Sequence, residues 1–144
     1  MRKRRRANQS GVTLIEMLVV VTIIALFAGL VGLRMWKQAD KARVTAARSQ
    51  INTLMAALST YKMDTGQFPT TEQGLQVLRT APAGVPNWQG PYLERELPND
   101  PWGNAYVYHY PSEQGDEPEI ISLGADGQPG GEGINADIVS WKSQ

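Results

Sequence analysis

From Val12 to Leu33 the chain reads VTLIEMLVVVTIIALFAGLVGL, 22 residues with one charge, Glu16, and no proline. At 1.5 Å of rise per residue, a helix of that length covers about 33 Å, enough to cross a hydrocarbon layer of roughly 30 Å. The run is apolar on every helical face, and a soluble domain within a 144-residue chain rarely has an interior that covers such a helix. The reading that remains is a single membrane-spanning helix. Arg2, Lys3, Arg4, Arg5 and Arg6 stand just ahead of it. Such a block marks the cytoplasmic flank of a span and places everything after Leu33 outside the cytoplasm. The formal charge of the whole chain is zero, but without this block nine basic residues face 14 acidic ones, so the remainder is acidic. A nucleic-acid arm is the other common reading of a basic tag. The apolar run that follows immediately argues against it, and no nucleic-acid partner is expected.

The leader differs from an ordinary secretory signal, which carries its cleavage site after the apolar stretch. Here a polar linker, Ala7-Asn8-Gln9-Ser10, and then Gly11 come before the stretch, and Leu33 leads into Arg34-Met35-Trp36-Lys37 with no small-residue site. A cut at Gly11 would remove the charges and keep the helix. The junction Gly11-Val12-Thr13-Leu14-Ile15-Glu16 resembles the class III leader of type IV pilins and type II secretion pseudopilins. The resemblance implies cleavage between Gly11 and Val12 by a prepilin peptidase, followed by N-methylation of Val12. That position is usually phenylalanine in the family.

Glu16 is the one charge in the run. A carboxylate near the centre of a bilayer helix costs roughly 2.5–3.5 kcal/mol on insertion scales, and such residues usually have a partner. An α-amine freed at Val12, with a reference pKa of about 8, is mostly protonated at neutral pH. The resemblance implies that Glu16 meets the Val12 amine of an adjacent subunit and sets axial register during assembly. The plainer alternative leaves Glu16 shallow, in the headgroup layer.

Beyond Leu33 the composition turns amphipathic. Ala47, Ile51, Leu54, Leu58 and Tyr61 step by four, three, four and three, one face of a helix, while Arg43, Arg48, Gln50, Asn52 and Lys62 fall away from it. With no proline before Pro69 and with Gly66 as a stop, one helix is expected from about Val12 to Asp64. A helix this long is unusual in a compact domain and suits a filament spine. Thr70 and Gln73 have the spacing of a capping box, followed by a short helix through Gln76 to Arg79. The proline- and glycine-rich stretch from Ala81 to Gly103 is turn chemistry, with Trp88, Tyr92 and Trp102 expected to fill small satellite packing sites. Strands are expected at Ala105–Tyr110, Glu119–Leu123 and Asp137–Trp141. The fold class is therefore α+β, a long N-terminal helix, first transmembrane and then amphipathic, packed on a small antiparallel sheet. The parts are a leader (1–11), a transmembrane and assembly helix (12–33) and a head (34–144).

Three further segments sharpen the resemblance: Thr65-Gly66-Gln67-Phe68-Pro69-Thr70-Thr71-Glu72-Gln73-Gly74-Leu75, Asp100-Pro101-Trp102-Gly103-Asn104, and Ser122-Leu123-Gly124-Ala125-Asp126-Gly127. They look like the major pseudopilin family of type II secretion, within the type IV pilin-like superfamily. That family's role implies a single-pass protein of the cell inner membrane with its head in the periplasm. It would polymerise with copies of itself into a pseudopilus that supports export of folded proteins. Minor pseudopilins, the prepilin peptidase, the inner-membrane secretion platform and its ATPase would be its partners. A type IV pilus pilin, serving adhesion, motility or DNA uptake, shares the leader and the spine and is the alternative.

The run GADGQPGGEGINAD, from Gly124 to Asp137, carries five glycines, two aspartates and a glutamate. Calcium takes six to eight oxygens in flexible geometry, and glycine-rich turns let backbone carbonyls point inward. The spacing is not that of an EF-hand, and from the residues alone a flexible surface loop and a metal site both stand. The resemblance implies Ca²⁺, with carboxylates from Asp126 and Asp137 and backbone oxygens of Leu123 and Gln128. Asn135, standing where some relatives carry an aspartate, is the candidate third side-chain ligand. Type IV pilins usually close this region with a cysteine pair, and this chain has no cysteine. An enzyme is not expected: His109 is the one histidine, in a tyrosine-rich strand with no nucleophile or base placed around it by motif.

Overall fold

The computed structural model describes the backbone of residues 11–142 and, apart from residues 32–35, their side chains. The basic block Arg2–Arg6 and the linker Ala7–Ser10 lie outside the described residues. Contacts divide the chain into two units, Met1–Ala39 and Asp40–Gln144, each taken by itself below. Helix α1, Leu14–Thr65, contributes to both.

In the first unit α1 starts two residues later than the sequence predicts. Thr13 takes the capping position instead: its hydroxyl accepts the Glu16 N–H at 3.3 Å and its carbonyl accepts the Met17 N–H at 3.2 Å. A threonine hydroxyl there satisfies an amide that the helix itself leaves open, so Val12 stays outside. Each described side chain from Val12 to Val31 is exposed, and by length and composition this stretch can cross a membrane. Thr22 has no need of water there, because its hydroxyl donates to the Leu18 carbonyl one turn back at 2.7 Å.

In the second unit the predicted stripe is the core face of α1. Ala47, Ile51, Leu54, Leu58 and Tyr61 are each no more than 2% exposed. Arg43, Arg48, Asn52 and Lys62 lie outside it, while Gln50 is half-buried and accepts the hydroxyl of Tyr106. Gly66 ends the helix at a φ of 89°, its N–H donating to the Lys62 carbonyl at 2.8 Å. Only a residue without Cβ enters this left-handed conformation cheaply. The chain then turns through a reciprocal capping box: the Thr70 N–H donates to Gln73 Oε1 at 2.9 Å, and the Gln73 N–H donates to Thr70 Oγ1 at 3.2 Å. A 3₁₀ turn, Leu75–Leu78, follows, one residue earlier than expected, and presses Leu75, Val77 and Leu78 into the core.

Strands β1 (Val107–His109), β2 (Glu119–Ser122) and β3 (Ile138–Val139) form an antiparallel sheet in the order β1-β2-β3, with Tyr108 opposite Ile120 and Ser122 opposite Ile138. All three are shorter than the sequence predicts, and side chains explain two of the truncations. The backbone of Tyr110 leaves the ladder to exchange two hydrogen bonds with Thr71 Oγ1, at 2.9 and 3.1 Å. After Val139, the Oγ of Ser140 accepts the Ile120 N–H at 3.1 Å, a rung that backbone would otherwise make.

Trp88, Tyr92 and Trp102 do not occupy satellite sites as expected but pack on the single core. The Trp88 indole donates to the Val77 carbonyl at 2.9 Å, and Tyr92 stands edge-on to Tyr61 at 5.6 Å with its hydroxyl donating to Asp64 Oδ2 at 2.9 Å. A proline- and glycine-rich segment can reach the core because Trp88 and Tyr92 carry both apolar area and a polar atom that finds a partner, whereas the Trp102 indole Nε1 is buried without one.

Burial holds the hydroxyls of Tyr106 and Tyr108 above their ordinary pKa of about 10, and Tyr61 and Tyr92 shift the same way. An unfolded tyrosine would ionise above pH 10 while the folded one keeps its proton. Stability from this source is therefore complete below pH 10 and declines as pH climbs toward the folded values. Alkaline denaturation of the full-length chain in detergent should show that decline. Tyr108→Phe should flatten it, at a cost of about 1 kcal/mol at neutral pH for the lost bond to the Pro69 carbonyl.

Candidate functional site

Paired strands fix both ends of the C-terminal loop. It leaves β2 after Ser122 and returns at Ile138, and those two residues are register partners. Within it the Ala125 N–H donates to the Ile134 carbonyl at 3.0 Å, so the loop folds back on itself. Gly124 and Gly131 permit this closeness, since a Cβ on either would meet backbone atoms of Asn135 at 2.5–2.9 Å. Both also have positive φ. The glycines expected to turn carbonyls inward therefore have a steric reason to be there.

The expected ligands fall as follows. Asp126 is exposed and its Oδ1 accepts the Gln128 N–H at 3.1 Å, while Asp137 is half-buried and its Oδ2 accepts the Gly130 N–H at 2.8 Å. The two carboxylates thus bind amides two residues apart in one loop. Leu123 and Asn135 are half-buried and Gln128 is exposed. Among the described residues no three His, Cys, Asp or Glu side chains gather as a metal cluster, so a cation here would draw most of its ligands from carbonyl and amide oxygens. The remaining oxygen of Asp137, Oδ1, is buried with no hydrogen-bond partner. A buried carboxylate oxygen without a donor is costly. A hard cation is one group that would satisfy it, and oxygen-rich, flexible surroundings suit calcium.

Beneath the loop lies a buried aspartate to which the sequence analysis assigned no role. Asp100 is 4% exposed, and its Oδ1 accepts the N–H groups of Trp102 at 3.1 Å and Asn104 at 2.8 Å. Its Oδ2 accepts the Ser122 hydroxyl at 2.6 Å, at the loop's root. Asn104 Nδ2 in turn donates to the Gly124 carbonyl at 2.9 Å. The signal was available: an aspartate followed by a proline and then by a glycine and an asparagine is the pattern of a side chain capping its own turn.

At the other end of the chain Gly11 and Val12 are exposed ahead of α1, and Glu16 is exposed in its first turn. His109 is exposed on β1 opposite Glu119, whose Oε1 accepts the Trp141 indole N–H at 2.6 Å.

Two family models match. One describes type II secretion system protein G, over residues 34–141, and the other a prokaryotic N-terminal methylation motif, over residues 6–32. A type II secretion system core protein G from Pseudomonas aeruginosa is 44% identical over 95% of this chain and 98% of its own length. Its counterpart from Vibrio cholerae is 43% identical over 100% and 98%. The crystal structure of the major pseudopilin from the type 2 secretion system of enterohaemorrhagic Escherichia coli superposes with a TM-score of 0.59 at 37% identity, covering 72% of this chain and 90% of that one. The apolar helix and the methylation motif mark a membrane-anchored component, and the head carries the family's α+β fold. With both ends of the molecule matched in this way, the chain belongs to the type II secretion system protein G family.

Proposed function

We propose that this chain is the major pseudopilin subunit of a type II secretion system. It polymerises into a periplasmic pseudopilus that supports export of folded proteins across the outer membrane. The observation that carries this is agreement along the whole length: relatives named core protein G align over nearly the full chain. That agreement favours secretion over the adhesion, motility or DNA-uptake role of a type IV pilus. The chain sits in the inner membrane as a single pass with its head in the periplasm, a topology supported by the five basic residues ahead of the apolar run. Its role is mechanical, with no catalytic step. Subunits add at the membrane by moving the apolar helix from lipid into a bundle of like helices. Minor pseudopilins and the secretion platform, with its ATPase, are its partners in that process.

Prepilin peptidase cleavage after Gly11 frees the Val12 amine and lets it be methylated. The charged amine then neutralises Glu16 of a neighbouring subunit in an environment of low dielectric, where one ion pair fixes axial register. Mass spectrometry of the mature protein should find Val12 at its N-terminus with one added methyl; a mature chain starting at Met1 overturns the leader assignment. Glu16→Ala should leave membrane insertion intact in cell fractionation and abolish filaments under electron microscopy. Normal filaments from that variant would remove the register role.

The head takes calcium in the loop between β2 and β3. Asp126 and Asp137 supply carboxylates, Leu123 and Gln128 backbone oxygens, and Asn135 a side-chain oxygen. When bound, the ion neutralises the two carboxylates and holds the turns together, stabilising the folded state by mass action. In thermal denaturation of the full-length chain in detergent, chelation should lower the midpoint. Calcium about a hundredfold above Kd should restore it, a swing on the order of 10 °C. Asp126→Ala should respond to neither treatment, and an equally indifferent wild-type chain rules the ion out.

A further inference from the structure

Between the core and the C-terminal loop runs one continuous set of hydrogen bonds. Asp100 is held in a tight turn by its own backbone, its N–H donating to the Asn104 carbonyl at 2.8 Å and its carbonyl accepting the Gly103 N–H at 2.9 Å. Its carboxylate uses both oxygens, one on the turn and one on Ser122, which is fully buried and occupies the last position of β2. The Ser122 hydroxyl also accepts the Gly124 N–H, at 3.4 Å. Asn104 reaches the loop by two routes. Its Nδ2 binds the Gly124 carbonyl at 2.9 Å, and its Oδ1 lies 3.2 Å from where a Cβ on Gly127 would stand. The side chain therefore touches the first turn of the loop at Gly124 and Gly127, the one following Leu123 and the other following Asp126.

We propose that Asn104, backed by Asp100 and Ser122, is a positioning residue that presets the first turn of the loop, Leu123–Gly127, for calcium. The inference rests on the calcium reading above and deepens it. Glycine-rich turns are costly to order, and a site assembled from backbone oxygens gains affinity when those oxygens are held in place before the ion arrives. Asn104 orients the Gly124 peptide, and the peptides on either side, which carry the Leu123 oxygen and lead to Asp126, follow from it. The same logic makes hydrogen-bonding partners of metal ligands matter: their loss typically weakens metal binding 10- to 100-fold. Asp100 supplies the anchor because a buried carboxylate with three donors cannot move without leaving a charge unsatisfied.

The test measures calcium affinity by isothermal titration of the full-length chain in detergent for wild type, Asn104→Ala, Ser122→Ala and Thr71→Val. The last breaks the Tyr110 bonds elsewhere in the head and controls for general loss of stability. Asn104→Ala should raise the calcium Kd about tenfold or more and speed hydrogen exchange at the Ala125 amide. Ser122→Ala should weaken binding in the same direction, and Thr71→Val should leave Kd within about twofold of wild type. An unchanged Kd in Asn104→Ala overturns the positioning role while leaving the calcium site standing. Equal weakening in Thr71→Val overturns it too, by reducing the effect to stability. A wild-type chain that takes no calcium removes the calcium reading first, and the positioning role with it.

Discussion

Fourteen large apolar side chains between Val12 and Val31 are exposed within the chain, and their burial is the problem around which the rest of the molecule is arranged. Even at about 1 kcal/mol for each partly exposed side chain, leaving them in water costs on the order of 10 kcal/mol, as much as the entire folding stability of a typical domain. Lipid can cover that surface, and so can a bundle of identical helices. The two environments are nearly equal for aliphatic side chains, so passage between them is decided by polar groups and packing rather than by hydrophobic area. In this segment the polar groups are few: Thr22 is satisfied on its own helix, and Glu16 is the one charge. In the proposed assembly, with a cleaved and charged Val12 amine on the neighbour, that single carboxylate would carry most of the polar difference between a subunit in lipid and one in the bundle.

The head answers a different demand. Its helix stripe needs only one covered face, and the cover is built from a three-stranded sheet, one 3₁₀ turn and aromatic side chains from a segment without regular structure. The sheet is small because side chains replace backbone at its borders, Thr71 at the end of β1 and Ser140 beyond β3. Short edge strands leave little backbone for unwanted strand addition, an advantage for a protein whose copies are crowded together in a polymer.

Features set by local pattern were legible in the sequence. The 3.6-residue stripe marked the core face of α1 and missed only the small Ala57 beside it, and the spacing of Thr70 and Gln73 gave a capping box that the structure forms. Apart from the start of α1, which the local cap of Thr13 moves, misjudged features depend on partners distant in sequence. Tyr110 reads as strand by alternation, and only Thr71, 39 residues away, removes it from the ladder. Trp88 and Tyr92 sit in turn-rich sequence that gives no sign of how close Val77 and Asp64 will be. For the loop, the glycines and aspartates were legible as a group, but Asp100, which holds its root from 22 residues upstream of Ser122, was not given a role. Buried polar networks join residues by three-dimensional proximity, and no periodicity announces them.

A loop closed without cysteine raises a question of energetics. A disulfide closing about 15 residues contributes about 3 kcal/mol, permanently, once it is oxidised. A bound cation at a hundred times its Kd contributes about 2.7 kcal/mol, comparable in size but proportional to the logarithm of the free ion. The choice is therefore less about how much stability is added than about when. With the proposed calcium site, the loop's final order follows the ion supply of the compartment and reverses when the ion leaves, with no redox partner required. The hydrogen bonds from Asp100 through Ser122 and from Asn104 to Gly124 do not depend on the ion. They hold the loop at its β2 end, while at its β3 end, beside Ile138, the buried Oδ1 of Asp137 has no hydrogen-bond donor; in the proposed site a calcium ion would complete it.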